Sequence, residues 1–387
     1  MIHISMQGFT DASDMIRSSV REFVRREIEP IRMKIDRDDY FPVDKFKLMG
    51  KMGYLGVTIP PEYGGSGAGY IAQAIIEDEL GYSSPSLALS YGAHSNLCLD
   101  NIYRNGSEYI RETFVPMLAS GEYIGSLCLT EPGSGSDALS MSTHIEEKDG
   151  GLYLSGSKMF ITNAPYADLF LVHSRDGEGY SSVIVLAADE GFSRGRSLEK
   201  MGMRGSPTGE LSFNRIRIEE KRILGKRGDG KRIIMSGLNS ERVILSFIFI
   251  GLARRAIDEA VNYASQRKQF GLHINEFELI QEKLSYMYVR YEASRMLAFK
   301  ALEKLQYDIM DPIDAASAIM YASESAEYIA REAIQIFGGY GYIKDTGIEM
   351  LLRDAILGQI GAGTTEIRKR VIAKALTRMY AEGRRIE

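Results

Sequence analysis

From residue 10 to about 120, apolar positions recur at the three-to-four spacing of an amphipathic helix. Ile16, Val20, Phe23, Val24 and Ile28 mark one face of DMIRSSVREFVRREIEPI (14–31). Gly/Pro breaks such as IPPEYGGSGAGY (59–70) predict the ends of helices. From about 121 to 225 the period falls to two. GLYLSGSKMFI (151–161), ADLFLVHSRDG (167–177), YSSVIVLAAD (180–189) and GELSFNRIRI (209–218) predict strands, with turns at Asp149-Gly150 and Asp176-Gly177. From about 228 the helical period returns and persists to the end. VILSFIFIGLA (243–253) is too short an apolar run to span a membrane and predicts a helix buried on all sides. The predicted order is a helical domain over 1–120, a β domain over 121–227 and a helical bundle over 228–387. No internal repeat or low-complexity segment interrupts it.

A chain of 387 residues exceeds one ordinary core, so several domains are expected on length alone. Hydrophobic residues at 44% and charged residues at 26% are the balance of a soluble globular protein. The net charge, 47 − 52 = −5, gives no support to a nucleic-acid partner. Cys98 and Cys128 are too few for a disulfide framework, so a reducing, cytoplasmic setting is expected. The first residues, MIHISMQGFTDASDMIRSS, carry no apolar leader core and no Arg-rich transit character.

Individual stretches leave the chemistry open. GKRGDGKR (225–232) contains GxxxxGK, but Arg232 stands where a P-loop needs Ser or Thr to hold Mg²⁺. TEPGSGSD (130–137) is either a polar turn or a set of backbone N–H groups presented to an electron-rich ring or phosphate. FGGYGYI (337–343) reads equally as a helix C-cap. His94 has no second ligand at metal spacing, which predicts a satisfied core histidine. In LGQIGAGTTEIRKR (357–370), small residues precede the start of a basic helix and invite close approach to the backbone, with no acid or nucleophile on the approached side.

Taken in order, LCLTEPGSGSD (127–137), KMFITN (158–163), KMGMRGSPTGEL (200–211), ASQRKQFG (264–271), IQIFGGYGY (334–342) and IGAGTTEIRK (360–369) resemble the acyl-CoA dehydrogenase family along nearly the whole chain. The resemblance implies an N-terminal α domain, a middle β domain and a C-terminal four-helix bundle. It also implies FAD as cofactor, and removal of two hydrogens from Cα and Cβ of an acyl-CoA thioester. Such a reaction needs a base for a weakly acidic α-proton and donors for the developing enolate.

By the resemblance, Ala362 supplies a backbone N–H to the thioester carbonyl, between the permissive Gly361 and Gly363. Thr364, Thr365 and Glu366 then lie along the flavin. Leu127, Leu129, Thr130 and Ser136 match its backbone and hydroxyl contacts, with Ser136 also near the CoA arm. Phe160, Ile161 and Thr162 match a Trp-Ile-Thr motif covering the ring, with Phe160 in place of the Trp. Arg267 matches an arginine that meets the FAD pyrophosphate across a subunit boundary, and Gln335, Gly338 and Gly339 match the adenosine segment. A cofactor completed by two chains implies a homo-oligomer, the family's tetramer. Asn239 and Arg242 match pantetheine contacts.

Many members carry the catalytic Glu where this chain has Ala362. A smaller group places it on a neighbouring helix, just before an Arg, and GLNSERVILSF (237–247) offers Glu241-Arg242. Glu241 shares a helix face with Ile244, Leu245 and Ile248, an apolar setting that raises a carboxyl pKa. On helix logic alone, Glu241 reads more readily as a first-turn acid behind an N-cap Ser240; the resemblance and the vacancy at Ala362 turn the expectation to the base. LALSYGAHSNLC (87–98) and Gly361 resemble the isovaleryl-CoA branch, with Leu89 matching a leucine on the pocket floor. The expected function is dehydrogenation of a short branched acyl-CoA, with electrons passed to an electron-transfer flavoprotein. A straight-chain dehydrogenase, an acyl-CoA oxidase or flavin monooxygenase, and a silent flavoprotein scaffold are the alternatives.

Overall fold

The computed structural model describes residues 11–386, so the leader reading of the first ten residues lies outside the described part. The N-terminal block is helical: α1 (Asp11–Phe23), α2 (Arg32–Arg37), α3 (Val43–Lys51), α4 (Gly69–Ser83), α5 (Pro85–Gly92), α6 (Asn101–Asn105) and α7 (Glu108–Ala119). The stripe Val20, Phe23, Val24 and Ile28 is buried as its spacing predicts. Its second half, however, is wound as a π turn (Val24–Ile28) rather than as α-helix. A second π segment, Ala93–Asp100, continues α5 without a break. Ser84 caps α5 by accepting from the Leu87 N–H at 3.4 Å, with Pro85 at the first helical position.

The middle block is one sheet of β1 (Gly125–Cys128), β2 (His144–Lys148), β3 (Gly151–Thr162), β4 (Leu169–Asp176), β5 (Gly179–Leu186), β6 (Phe192–Ser197) and β7 (Thr208–Ile218). Its order is β1-β4-β2-β3-β7-β6, and β5 pairs with β4. β1 runs parallel to β4, in the register Leu127 to Leu171, while β3 and β7 form the long antiparallel pair. The four predicted strands are present. β1, β2 and β6 add to them.

The C-terminal block holds α8 (Gly230–Gln266), a short hairpin of β8 (Lys268–Gln269) and β9 (Leu272–His273), α9 (Glu278–Gln306), α10 (Pro312–Phe337), α11 (Ile348–Leu357) and α12 (Thr365–Ala381). α8 is long and apolar enough, by length and composition alone, to cross a membrane. Its apolar stretch is instead a buried core, covered by α4, α9 and α10. α4 meets α8 backbone to backbone, since a Cβ on Gly81 would lie 2.6 Å from the Ile248 carbonyl oxygen. That seam sets the depth at which the first half of α8 faces α4 and α5.

Candidate active site

The loop joining α11 to α12 is held by its carbonyls. Arg368, fully buried, donates to the Gly358 and Gly361 carbonyls at 2.6 and 2.5 Å. Arg242 Nε donates to the Ala362 carbonyl at 3.3 Å. Ala362 and Gly363 both have positive φ, 55° and 86°, which turns the chain sharply into α12. Thr364 then caps that helix by accepting from Ile367 N–H at 3.4 Å. In a trans peptide the C=O and N–H point opposite ways. With the Gly361 oxygen pinned on Arg368, the Ala362 N–H is therefore aimed to the other side. Among the described residues it makes no hydrogen bond. The loop thus presents a fixed, free donor.

Glu241 lies three turns inside α8, which starts at Gly230, so it is not a first-turn acid behind an N-cap at Ser240. Its side chain keeps some solvent contact, whereas Arg242 beside it is 4% exposed. Burial pushes the Glu241 carboxyl up to about 7, against the opposing pull of Arg242 and Arg368. Arg368 is brought down to about 10 by burial and by the like charge of Arg242. Arg242 also donates to Asn239 Oδ1 at 3.1 Å. One constellation therefore brings together an acid poised near neutrality, two arginines and a free backbone donor: Asn239, Glu241, Arg242, Gly361, Ala362, Gly363 and Arg368. Leu89, on α5, is partly exposed, as is Gly92 at the helix end, while the rest of the helix is buried.

A second group lies on the sheet. β1 carries Leu127, and Leu129 and Thr130 follow it; the Leu129 side chain packs on Met141 and Ile234, so its backbone is the part left to make contacts. The Thr130 carbonyl accepts from Met159 N–H at 2.9 Å, and Ser126 Oγ donates to the Thr162 carbonyl at 2.5 Å. Phe160, at φ 59°, is 60% exposed, while Ile161 is buried. Ser136 stands exposed on the 130–137 turn. Thr365 Oγ1 is buried without a hydrogen-bond partner, and Glu366 is exposed.

A third group is remote. Arg267, Gly338 and Gly339 line a cavity of about 680 Å³ with Tyr263, Phe270 and Tyr340. Gln335, on the last turn of α10, is exposed and not part of that lining. Arg267 ends α8, twenty-six residues beyond Glu241, or about 39 Å along the axis at 1.5 Å per residue.

The remaining motifs resolve as structure. His94 is fully buried with both ring nitrogens engaged, Nε2 with the Leu118 carbonyl (3.0 Å) and Nδ1 with the Gly125 N–H (2.8 Å). In 225–232, Arg227 pairs with Asp176 at 2.7 Å and Glu147 at 3.0 Å, which ties the linker to the sheet rather than to a phosphate. Gly338 is the C-cap of α10.

Three family descriptions cover the chain: the acyl-CoA dehydrogenase N-terminal domain over residues 10–122, the middle domain over 126–216 and the C-terminal domain over 228–377. The chain belongs to the acyl-CoA dehydrogenase family. It is 40% identical to a mitochondrial isovaleryl-CoA dehydrogenase of Arabidopsis thaliana, over 95% of this chain and 92% of that one. Butyryl-CoA dehydrogenase from Megasphaera elsdenii superposes with a TM-score of 0.93 at 32% identity, covering 95% of this chain and 99% of that one. The FAD complex of PigA superposes with a TM-score of 0.91 at 28% identity, covering 95% and 98%. This acyl-CoA dehydrogenase is thus an oxidoreductase with helical ends and a central β domain.

Two further features of the site, the Lys158–Glu131 pair and Arg368, were not singled out from the sequence. Lys158, fully buried, donates to the Leu129 carbonyl and to Glu131, both at 2.9 Å, and so locks β3 to the 127–137 segment. Burial pushes Glu131 up, but hydrogen bonds from Ser142, Thr143 and Lys158 outweigh it and hold the carboxyl at about 2. Arg368 is the other. A Lys and a Glu inside recognised motifs, and an Arg on the first turn after a glycine loop, were the available signals.

Proposed function

We propose that this protein removes two hydrogens from Cα and Cβ of a short branched acyl-CoA of the isovaleryl type, with Glu241 as the base. The observation that carries this is the pairing of a vacant Ala362, its N–H pointing outward, with a carboxyl raised to about 7 on the facing helix. A base with a pKa near working pH is partly ionised and still strong enough to accept a proton. Glu241 takes the α-proton, while the Ala362 N–H stabilises charge growing on the thioester oxygen. Arg242 and Asn239 flank the pantetheine arm, and Ser136 lies towards the CoA end.

The residues present fit FAD. Thr365 Oγ1 is a buried hydroxyl without a protein partner, Ser136 and Phe160 of the second group are exposed, and Gly338 and Gly339 have open space where a Cβ would stand. FAD bound there would supply the acceptor for the β-hydride. Arg267 is too far along α8 to meet the same FAD molecule as Glu241 of its own chain. We assign it, with Gly338, Gly339 and the neighbouring Gln335, to the FAD of a second copy, which makes the protein a homo-oligomer of the tetrameric type. Phe270 and Tyr342, 95% and 90% exposed beside this cavity, suit such an interface. Electron transfer to an electron-transfer flavoprotein and a reducing, cytoplasmic setting complete the proposal, the latter supported by two free cysteines.

The test is anaerobic reduction of the flavin-loaded protein by isovaleryl-, butyryl- and octanoyl-CoA. Bleaching fastest with isovaleryl-CoA supports the reading. Faster bleaching with butyryl- or octanoyl-CoA makes it a straight-chain enzyme, and rapid reoxidation in air without an acceptor protein makes it an oxidase. No bleaching at all would overturn the activity.

A further inference from the structure

One peptide of the loop between α11 and α12 is held against its own preference. Ala362 has φ 55°, a left-handed conformation that a residue with a Cβ enters at a cost and glycine enters freely. The peptides on either side are fixed by other groups. Gly361 N–H donates to the Leu357 carbonyl at 2.8 Å, and the Ala362 carbonyl accepts from Arg242 Nε at 3.3 Å. Between them, the Gly361–Ala362 peptide makes one hydrogen bond among the described residues, its carbonyl accepting from Arg368 Nη2 at 2.5 Å. Reversing that peptide plane would exchange its C=O and N–H and turn the Ala362 φ from positive to negative, the side that alanine prefers. Gly361, which precedes it, tolerates either orientation.

Arg368 is itself placed at a cost. It is fully buried, and a guanidinium out of water is unfavourable unless its charge is paired. Among the described residues it forms no ion pair. Nη1 donates to the Gly358 carbonyl at 2.6 Å and to Ser323 Oγ at 3.4 Å, Nη2 donates to the Gly361 carbonyl, and Nε has no partner. Burial and the like charge of Arg242 bring it down only to about 10, so it is charged at neutral pH. The charge is directed at two carbonyls of one loop, which a planar, two-pronged guanidinium spans and a lysine ammonium meets at a point. The Gly358 end is also fixed by packing. A Cβ there would lie 2.6 Å from the Ser323 Cβ and 2.7 Å from the Phe249 ring, so α8 and α10 close on it. The Gly361 end has no such support, and the second prong of Arg368 supplies it.

We propose that Arg368 is a positioning residue, a latch that keeps the Gly361–Ala362 peptide in its strained orientation so that the Ala362 N–H, and not the Gly361 C=O, meets the thioester oxygen. Without the latch the peptide relaxes, and a carbonyl oxygen comes to face the atom on which negative charge grows. The loss then falls on the step that removes the α-proton, while the contacts that bind the rest of the acyl-CoA remain. The proposal rests on the dehydrogenase reading of the site and adds to it a peptide with two orientations, governed from α12.

The test compares FAD-loaded wild type with Arg368→Met, Arg368→Lys and the double variant Arg368→Met with Ala362→Gly. Crystal structures read the direction of the 361–362 peptide. Anaerobic stopped-flow reduction over a range of isovaleryl-CoA concentrations separates the limiting rate from the half-saturating concentration. Arg368→Met should show the peptide reversed and the limiting rate lowered at least ~10²-fold, with the half-saturating concentration moved less than ~5-fold. Adding Ala362→Gly removes the left-handed penalty and should recover at least ~5-fold of that rate, a gain that a merely structural role for Arg368 would not give. Arg368→Lys, which keeps the charge and one point of contact, should fall between wild type and Arg368→Met. A peptide that stays unreversed in Arg368→Met, or a double variant no faster than the single one, would overturn the latch. Should the methionine variants not take up FAD, Arg368→Lys decides: a limiting rate lowered at least ~5-fold supports the latch and a wild-type rate overturns it. A wild type that no acyl-CoA reduces would instead overturn the activity, and the peptide direction, read without turnover, keeps the two failures apart.

Discussion

At the residue scale, the site is a matter of which way one peptide points and how one carboxyl is charged. Two arginines hold the carbonyls of the 358–362 loop and leave the Ala362 N–H as the free donor. Glu241 is raised to about 7 by burial. A raised acid is protonated below that value and becomes a competent base above it, so flavin reduction by saturating acyl-CoA should climb with pH through about 7. Stopped-flow rates from pH 5.5 to 9 check this, and rates that stay flat across that range, as for a base at the ordinary carboxylate value of about 4.3, would contradict it. The same raised value means that folding favours the protonated form, so any stability this group contributes is lost as pH rises through about 7. Gly361 is the second lever. A Cβ there would meet Leu357 at an ordinary 3.5 to 3.8 Å, so Gly361→Tyr is accommodated at its root. The added ring should lower kcat/KM for isovaleryl-CoA at least ~10-fold more than for butyryl-CoA. Equal losses on both would remove Gly361 from the control of branch tolerance. The Glu-Arg pair and the small-residue loop were legible in the sequence because they are chemistry written in residue types. The positive φ of Ala362 and the buried Arg368 were not, because each depends on neighbours distant in the chain.

At the element scale, the proposed base sits on α8 while Ala362 lies between α11 and α12, and on that proposal the two would face one substrate carbon from different sides. A carboxylate should therefore be movable. Glu241→Gly with Ala362→Glu should reduce flavin well above Glu241→Gly alone. It should stay below wild type, since errors of about 1 Å in position cost roughly 10²-fold. Ala362 already occupies φ 55° with a Cβ, so a Glu there adds little backbone strain of its own. Single-turnover rates decide it, and a double variant that holds flavin and acyl-CoA yet is no faster than the single one would contradict interchangeability. The long periodic elements were legible for physical reasons: α8, β3, β4, β5 and β7 each bury a continuous or alternating apolar face. β6, FSRGRS, is almost wholly exposed and shows no alternation, and β1 is only four residues long, so neither leaves a period to detect. The π windings at 24–28 and 93–100 keep their apolar residues inside and so mimic α-helix in pattern.

At the scale of the whole molecule, the KMGMRGSPTGEL segment locks the β domain to both helical blocks. Gly205 N–H donates to Asp39 Oδ1 at 2.6 Å and Arg204 Nε to the Asp36 carbonyl at 2.6 Å. Arg353 on α11 pairs with Asp36 at 2.7 Å, and Asp354 accepts from the Met203 N–H. Gly205 has φ 85°, and a Cβ there would lie 2.3 Å from Ile35 and 2.9 Å from the Tyr40 carbonyl oxygen. Gly205→Ala should therefore cost about 1–3 kcal/mol or more, and loosen the docking of the three blocks. Denaturant midpoints with FAD bound measure it, and an unchanged midpoint would mean that this junction does not hold the domains. The three-block order was legible because the hydrophobic period changes from helical to two and back. The junctions were not, since they join residues more than a hundred positions apart.

Glu241 as the proposed base facing Ala362 is tested most directly by Glu241→Gln. The substitution keeps size and hydrogen-bonding capacity and removes only the capacity to take a proton. With FAD occupancy and acyl-CoA binding checked first, anaerobic mixing with isovaleryl-CoA should show flavin reduction slowed by at least ~10²-fold relative to wild type. Reduction at a near-normal rate in the loaded variant would contradict the assignment.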